Sequence, residues 1–352
     1  TDTVMLPFFA LALYAWLRLT DEASLKWAVI CGIAMGGGFL SKYALIYLPI
    51  SLTLAVLVIP AARIAWRDAL IVAISAALVA APNIWWNISN GGTTVRHIAE
   101  DNARIGTAGI DPAQALEFLA SQLAVFGPIL FASLAAALIL LARRKAPAHS
   151  GFLLILSATV LCLMTVQAAR AGANANWAVT AYIGGTILAV AVLAAKPWLL
   201  KASLALHLNI AVLFPLAFVF GDSLRLPNGQ LLAQRYVGPV ALSTTIAETA
   251  RAEGLGTIVA ERRGVLADLF HTLKDSDLTI RAIPPKGNPK NYYQQTFPLP
   301  PDQTGDVLFV TSGNAPCPAA TTVTDYQATS GIYRHTPFTF FRVPANCFPS
   351  AP

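Results

Sequence analysis

Apolar runs near span length follow one another through residues 4–19, 27–40, 43–59, 69–86, 120–142, 151–168, 177–195 and 199–220, with most charged residues between them. A helix needs roughly 20 apolar residues to cross a hydrocarbon core of about 30 Å, and most of these runs come close. The pattern predicts an α-helical polytopic membrane protein with about eight spans. The run 27–40 is short and holds Gly36-Gly37-Gly38, so a bent or re-entrant piece is expected there. After Phe220 no span-length run remains. Short β-rich pieces appear at 257–260, 278–283, 307–311 and 338–343, with a helical stretch near 265–274 and a proline-rich linker at 284–301. The expected organisation is a membrane domain over 1–220 and a small α/β domain over 221–352.

Loop charge gives this pattern an orientation. Arg18, Lys26, Arg63, Arg67, Arg143, Arg144, Lys145, Lys196 and Lys201 fall in four short loops on one side. An excess of Lys and Arg in short loops marks the cytoplasmic side. Asp2, Lys42, the loop 87–119, the segment 170–177 and the C-terminal domain then face outward. Composition agrees: the chain is 56% hydrophobic and 12% charged, and its mean hydropathy is +0.59. The net charge of +6 resides largely in membrane loops, so it does not call for a nucleic-acid partner. Proline marks the same boundary, since 9 of 23 lie in the first 220 residues and 14 in the last 132.

Residue 1 is Thr, and no cationic leader with a cleavage site precedes the first run. With an outward N-terminus, this reads as a chain whose earlier spans lie upstream. Cys31 and Cys162 fall inside apolar runs, where a thiol behaves as a small hydrophobe. Cys317 and Cys347 fall in the outer domain, where an oxidising compartment would let them pair. The five histidines are scattered at 97, 149, 207, 271 and 335, so no metal-type Cys/His spacing exists.

The outward face collects the candidate chemistry. Lys42 stands between two apolar runs, where an ammonium must reach the interface or meet an anion. Span 69–86 leads into Pro82-Asn83-Ile84-Trp85-Trp86-Asn87, and paired tryptophans at a span end are ordinary interface anchors. Arg96, His97 and Arg104 are cations on the side where such charge is disfavoured. The segment from Arg170 through Asn174 and Asn176 to Trp177 is rich in small residues and carries one guanidinium suited to phosphate. Asp2 precedes the first run, where an N-cap role is the plain alternative.

Thr1-Asp2-x-x-x-Leu6 leads into a span, followed by Gly38-x-x-Ser41-Lys42-Tyr43. Pro82-Asn83-x-x-Trp86 comes next, with Asn90-Gly91 and His97, and then Asn174-x-Asn176-Trp177-Ala178-x-x-Ala181-Tyr182. In this order the motifs resemble bacterial polyprenyl-phosphate-sugar glycosyltransferases. Those belong with the protein O-mannosyltransferase and lipid A aminoarabinose transferase relatives of the GT-C superfamily, which are glycosyltransferase family 39-like.

The resemblance covers Asp2 to about Tyr182. It implies an inverting hexosyl- or pentosyltransferase of the bacterial inner membrane. A sugar would move from a polyprenyl-phosphate donor to a lipid, glycan or protein acceptor on the outer face. It assigns donor phosphate or sugar binding to Lys42, Arg170, Tyr43, Arg96, His97, Asn83, Trp85, Asn174 and Asn176. Asp2 takes a supporting role, and the principal catalytic acid is expected in an outer loop upstream. A divalent metal is left open, since no ligand cluster points to one. The competing readings are a transporter or flippase of a lipid-linked precursor and a membrane-anchored binding domain. The first lacks midplane charges and visible repeats, and the second leaves the outward cations unexplained.

Overall fold

The computed structural model describes residues 1–90, 92, 94, 109–221 and 223–348. It divides into two compact units, Thr1–Asn209 and Ile210–Pro352. The first holds α1 (Asp2–Asp21), α2 (Leu25–Ser41), α3 (Tyr47–Val58, entered through a 3-10 turn at Tyr43–Ile46) and α4 (Trp66–Ser89). It continues with α5 (Pro112–Val125), α6 (Pro128–Ala142), α7 (Ser150–Ala171) and α8 (Ala181–Leu193), and α9 (Pro197–Val219) runs across the division. Helices α1, α4, α7 and α9 are long and apolar enough to cross a membrane, and α5 with α6 adds a fifth if taken as one bent span. The helices Leu25–Ser41, Tyr43–Val58 and Ala181–Leu193 are apolar but shorter. Outer faces stay apolar, with Leu57 71%, Leu78 69% and Leu208 67% exposed. Apolar patches of this kind are rare in water and normal against lipid.

Helix α2 runs through Gly36-Gly37-Gly38 without a break. Its glycines act by their size. A Cβ on Gly36 would lie 2.6 Å from Cβ of Val79, and one on Gly32 would lie 2.5 Å from the Val72 carbonyl oxygen. Small residues let α2 and α4 approach at backbone distance, which is how helices associate where no hydrophobic effect drives them together.

The run 120–142 is not one helix: α5 and α6 meet at 113°. Gly127 sits at φ +84°, and Pro128 opens α6, where its missing N–H costs nothing. Nε2 of His207 lies 3.1 Å from the Phe126 carbonyl oxygen, and a Cβ on Gly127 would meet that ring at 2.6 Å. His207, inside the apolar run 199–220, therefore braces a corner. Helix α5 also begins inside the stretch 87–119 read as a loop. The Asp111 carboxylate caps it, accepting from the Ala113 N–H at 2.9 Å.

The second unit is a five-stranded mixed sheet in the order β2-β1-β3-β5-β4. Strands β1 (Thr257–Ala260), β2 (Thr279–Ala282) and β3 (Asp306–Thr311) run parallel, and β5 (Phe338–Pro344) and β4 (Thr321–Tyr326) complete it antiparallel. One face carries Ile258, Ile280, Leu308 and Phe340 against α10 (Pro239–Ala252) and α11 (Arg263–Thr272). The other buries Val259, Val307, Phe309, Val343 and Phe348. The stretch read as a linker at 284–301 contains a short helix, α12 (Tyr292–Thr296), capped by Asn291.

Cys317 and Cys347 form a disulfide with Cα atoms 5.8 Å apart, while Cys31 and Cys162 are free. A loop with a separation of 30 residues is closed by this bond. In the chain-entropy picture that adds roughly 3–4 kcal/mol to the unit that contains it. Reduction, or Cys317→Ser with Cys347→Ser, is expected to lower the unfolding temperature of this unit, read by near-UV circular dichroism. An unchanged transition would show that the bond contributes nothing to stability.

Candidate active site

Helices α1 and α2 run antiparallel, so the start of one and the end of the other meet at the same end of the first unit. Lys42 terminates α2 in an extended conformation, and its N–H caps the helix on the Gly38 carbonyl. Its ammonium donates to Oδ1 of Asp2 at 2.5 Å, with 29% and 28% of the two side chains exposed. Nδ2 of Asn176, from the 3-10 turn Ala175–Ala178 beyond α7, donates to Oδ2 of the same carboxylate at 3.3 Å. Asp2 of α1 thus meets both the end of α2 and the 3-10 turn, and each of its oxygens accepts one hydrogen bond. An ammonium has three protons, so Lys42 keeps two for another acceptor.

Next along the chain, Tyr43 donates its hydroxyl to Oδ1 of Asn83 at 3.0 Å. Asn87, one turn on in α4, donates to the Asn83 carbonyl at 2.9 Å and accepts from the Thr94 N–H at 3.2 Å. An apolar cavity of about 440 Å³ opens beside Tyr43, Asn83 and Asn87, and it shares Phe39 and Ile46 with a second of about 530 Å³. The second runs among α1 to α4 past Trp16, Leu52, Val56 and Ala76. Together they make an apolar groove that meets polar side chains at Tyr43, Asn83 and Asn87.

A buried network missed from the sequence holds the Asn176 turn in place. Gln122 of α5 is fully buried, and its Nε2 donates to the carbonyls of Phe118 at 2.9 Å and Ala175 at 3.3 Å. The Tyr182 hydroxyl donates to Oε1 of Gln122 at 2.7 Å, while its ring stacks on Phe126 at 4.0 Å. The available signal was a lone glutamine in an apolar stretch, which must find partners when buried. Reading 87–119 as loop concealed the helix that presents it.

The remaining candidates are less engaged. Arg170 is exposed in the last turn of α7 and has no hydrogen-bond or ion-pair partner among the described residues. The Asn174 carbonyl accepts from the Trp177 N–H at 2.9 Å, and its side chain is exposed. Trp85 is 73% exposed and does not touch the Asp2 cluster, as an interface anchor would stand. Arg96, His97 and Arg104 lie outside the described residues. Among the described residues, no group of three or more His, Cys, Asp or Glu is placed to hold a metal ion.

Asp111 anchors the supporting helix. Hydrogen bonds from the Gln114 side chain and from the N–H groups of Ala113 and Gln114 hold its carboxyl below the usual value. A depressed carboxylate stabilises above its unfolded pKa near 3.8, and the contribution is lost as pH falls through the lower folded value. The α5 cap is therefore complete at neutral pH. Replacing Gln122 by Ala strands the Tyr182 hydroxyl, and an unsatisfied buried group costs about 1–3 kcal/mol. Gln122→Ala is expected to lower the melting temperature in detergent and to depress turnover. Unchanged values for both would remove Gln122 from the support of the site.

Residues 1–86 match the family profile described as dolichyl-phosphate-mannose-protein mannosyltransferase. The chain is 42% identical over 350 residues to the lipid A galacturonosyltransferase RgtD of Rhizobium johnstonii, a match covering 99% of this chain and 74% of the relative. No solved structure matches the chain. A polytopic helical unit carrying the aligned motifs, with this similarity over nearly its full length, establishes that the chain belongs to the GT-C superfamily of membrane glycosyltransferases.

Proposed function

We propose that this glycosyltransferase moves a sugar from a polyprenyl-phosphate carrier to a lipid acceptor on the outer face of the bacterial inner membrane. The observation that carries this reading is the Asp2–Lys42–Asn176 cluster, joined through the adjacent Tyr43 to an apolar groove lined by Tyr43 and Asn83. A lipid-linked sugar phosphate has that same division: an apolar tail, an anionic phosphate and a hydroxyl-rich ring. The relative's name supplies the sugar and acceptor classes, a galacturonosyl unit and lipid A. The relative's name favours a lipid acceptor over a glycan or protein.

In this mechanism an acceptor hydroxyl attacks the anomeric carbon as the lipid phosphate departs, with inversion at that carbon. Charge gathers on the leaving phosphate, and cations aimed at it supply a large share of the stabilisation. Lys42 offers its two uncommitted protons, oriented by Asp2. Arg170 supplies a second cation from α7, and Arg96 and His97 are further donors. On this reading Asp2 orients Lys42 and is not the base. The acceptor's proton therefore goes to another acidic group. The eight apolar segments alternate across the membrane on this reading, with 60–68 and 143–150 inside and the C-terminal unit outside.

Loss of one such electrostatic partner commonly costs about 10²–10³ in rate. Lys42→Ala and Arg170→Ala are expected to reduce transfer of radiolabelled sugar by about that much with little change in expression. The double variant should lose less than the sum if both cations serve one phosphate. Full activity of both single variants would end the phosphate assignment. For topology, Lys145→Cys and Asp275→Cys are placed in a chain lacking Cys31 and Cys162. A membrane-impermeant maleimide applied to intact spheroplasts should label position 275 and spare 145, and the reverse would invert the orientation.

A further inference from the structure

The second unit has a crevice of its own, of about 230 Å³, lined in part by Glu261, Lys286, Phe309, Thr311, Asn314 and Phe348. Its position follows from sheet topology. Strand β1 lies between β2 and β3, all three parallel, so the connections leaving β1 and β3 diverge at their carboxyl ends. Open α/β sheets hold ligands in the crevice formed at such a point. Glu261 is the first residue after β1, and Thr311 is the last of β3.

The lining is ordered before any ligand arrives. Thr311 is 1% exposed, and its hydroxyl donates to Oε2 of Glu261 at 2.8 Å while accepting from the Gly313 N–H at 2.9 Å. This fixes the carboxylate and leaves Oε1 free to accept. The ammonium of Lys286 has no hydrogen-bond or ion-pair partner among the described residues. Asn314 adds an amide, and the rings of Phe309 and Phe348 meet edge-on at 5.1 Å as an apolar wall. The cavity is smaller than the 300–1,000 Å³ typical of drug-sized ligands and far too small for a lipid tail. A sugar ring matches it: one apolar face for the aromatic wall and hydroxyls for Glu261 and Asn314.

We propose that this crevice is an accessory carbohydrate site that takes a single sugar-acid ring, its carboxylate paired with Lys286 and its hydroxyls held by Glu261 and Asn314. The preference for an acid rests on the galacturonosyl reading above as well as on Lys286, whereas occupation by a sugar ring rests on the crevice alone. No group is transferred at this site; it retains a glycan by equilibrium binding.

Saturation-transfer NMR on the detergent-solubilised full chain with galacturonate and with galactose tests this. Galacturonate should bind saturably and galactose more weakly. A hydrogen bond to a charged group is worth about 1.5–3 kcal/mol, so Glu261→Gln and Lys286→Met should each weaken galacturonate binding about tenfold or more. Lys286→Met should also bring the two sugars to similar affinity. Lys42→Ala should leave this binding unchanged while reducing transfer about 10²–10³-fold, which separates the crevice from the membrane site. No binding by the wild-type chain, or binding unaltered in the Glu261→Gln/Lys286→Met double variant with an unchanged melting curve, would overturn the proposal. Equal binding of both sugars with no effect of Lys286→Met would overturn the acid preference.

Discussion

The contact between Lys42 and Asp2 constrains everything around it. Neither charge can move into hydrocarbon without a cost of several kcal/mol, so each ties its helix end to the aqueous boundary. The start of α1 and the end of α2 are thereby set at one level, and α2 stops where the lysine must surface. The pair is partly exposed, and pairs of that kind contribute little net stability. Its consequence is geometric: it brings two helices and the Asn176 turn to one point and leaves a cation with unused protons there.

The groove beside that point is a product of small residues. Glycines in α2 let α4 approach closely on one side, and Ala69, Ala73, Ala76, Ala77 and Ala80 of α4 line the cavity on another. Leucines at those positions would fill the space. In lipid, close packing and accessible volume both depend on side-chain size, because no water is released when apolar surfaces meet. The same choice of Gly and Ala that holds the helices together therefore also creates an apolar channel. On the proposed reading, that channel takes the tail of the lipid-linked donor.

What could be read from the sequence divides along physical lines. All eight apolar runs became helices, because burial of backbone polar groups in lipid leaves no alternative. Pattern could not give their lengths or the corner at Gly127-Pro128, since an apolar run looks the same whether straight or bent. Strands β1, β2, β3 and β5 were legible from apolar, β-prone runs, whereas β4 is threonine-rich and half exposed at the sheet edge and was missed. Within the site, Lys42 stood out because an ammonium between two apolar runs is costly, and Asp2 through the motif that it opens. Gln122 did not, since its meaning depends on a turn more than 50 residues away.

The occupancy of Asp2 carries the argument about chemistry one step further. A general base needs a lone pair aimed at the proton that it removes. Here Oδ1 faces an ammonium and Oδ2 an amide. Were Asp2 to take the acceptor's proton, its neutral carboxyl would hold Lys42 less strongly at the moment charge develops on the phosphate. Deprotonation and phosphate stabilisation would therefore compete at this pair. On the proposed reading, leaving-group stabilisation belongs to Lys42 with Asp2 as its holder, and the proton passes to an acidic group on the acceptor's side of the reacting carbon.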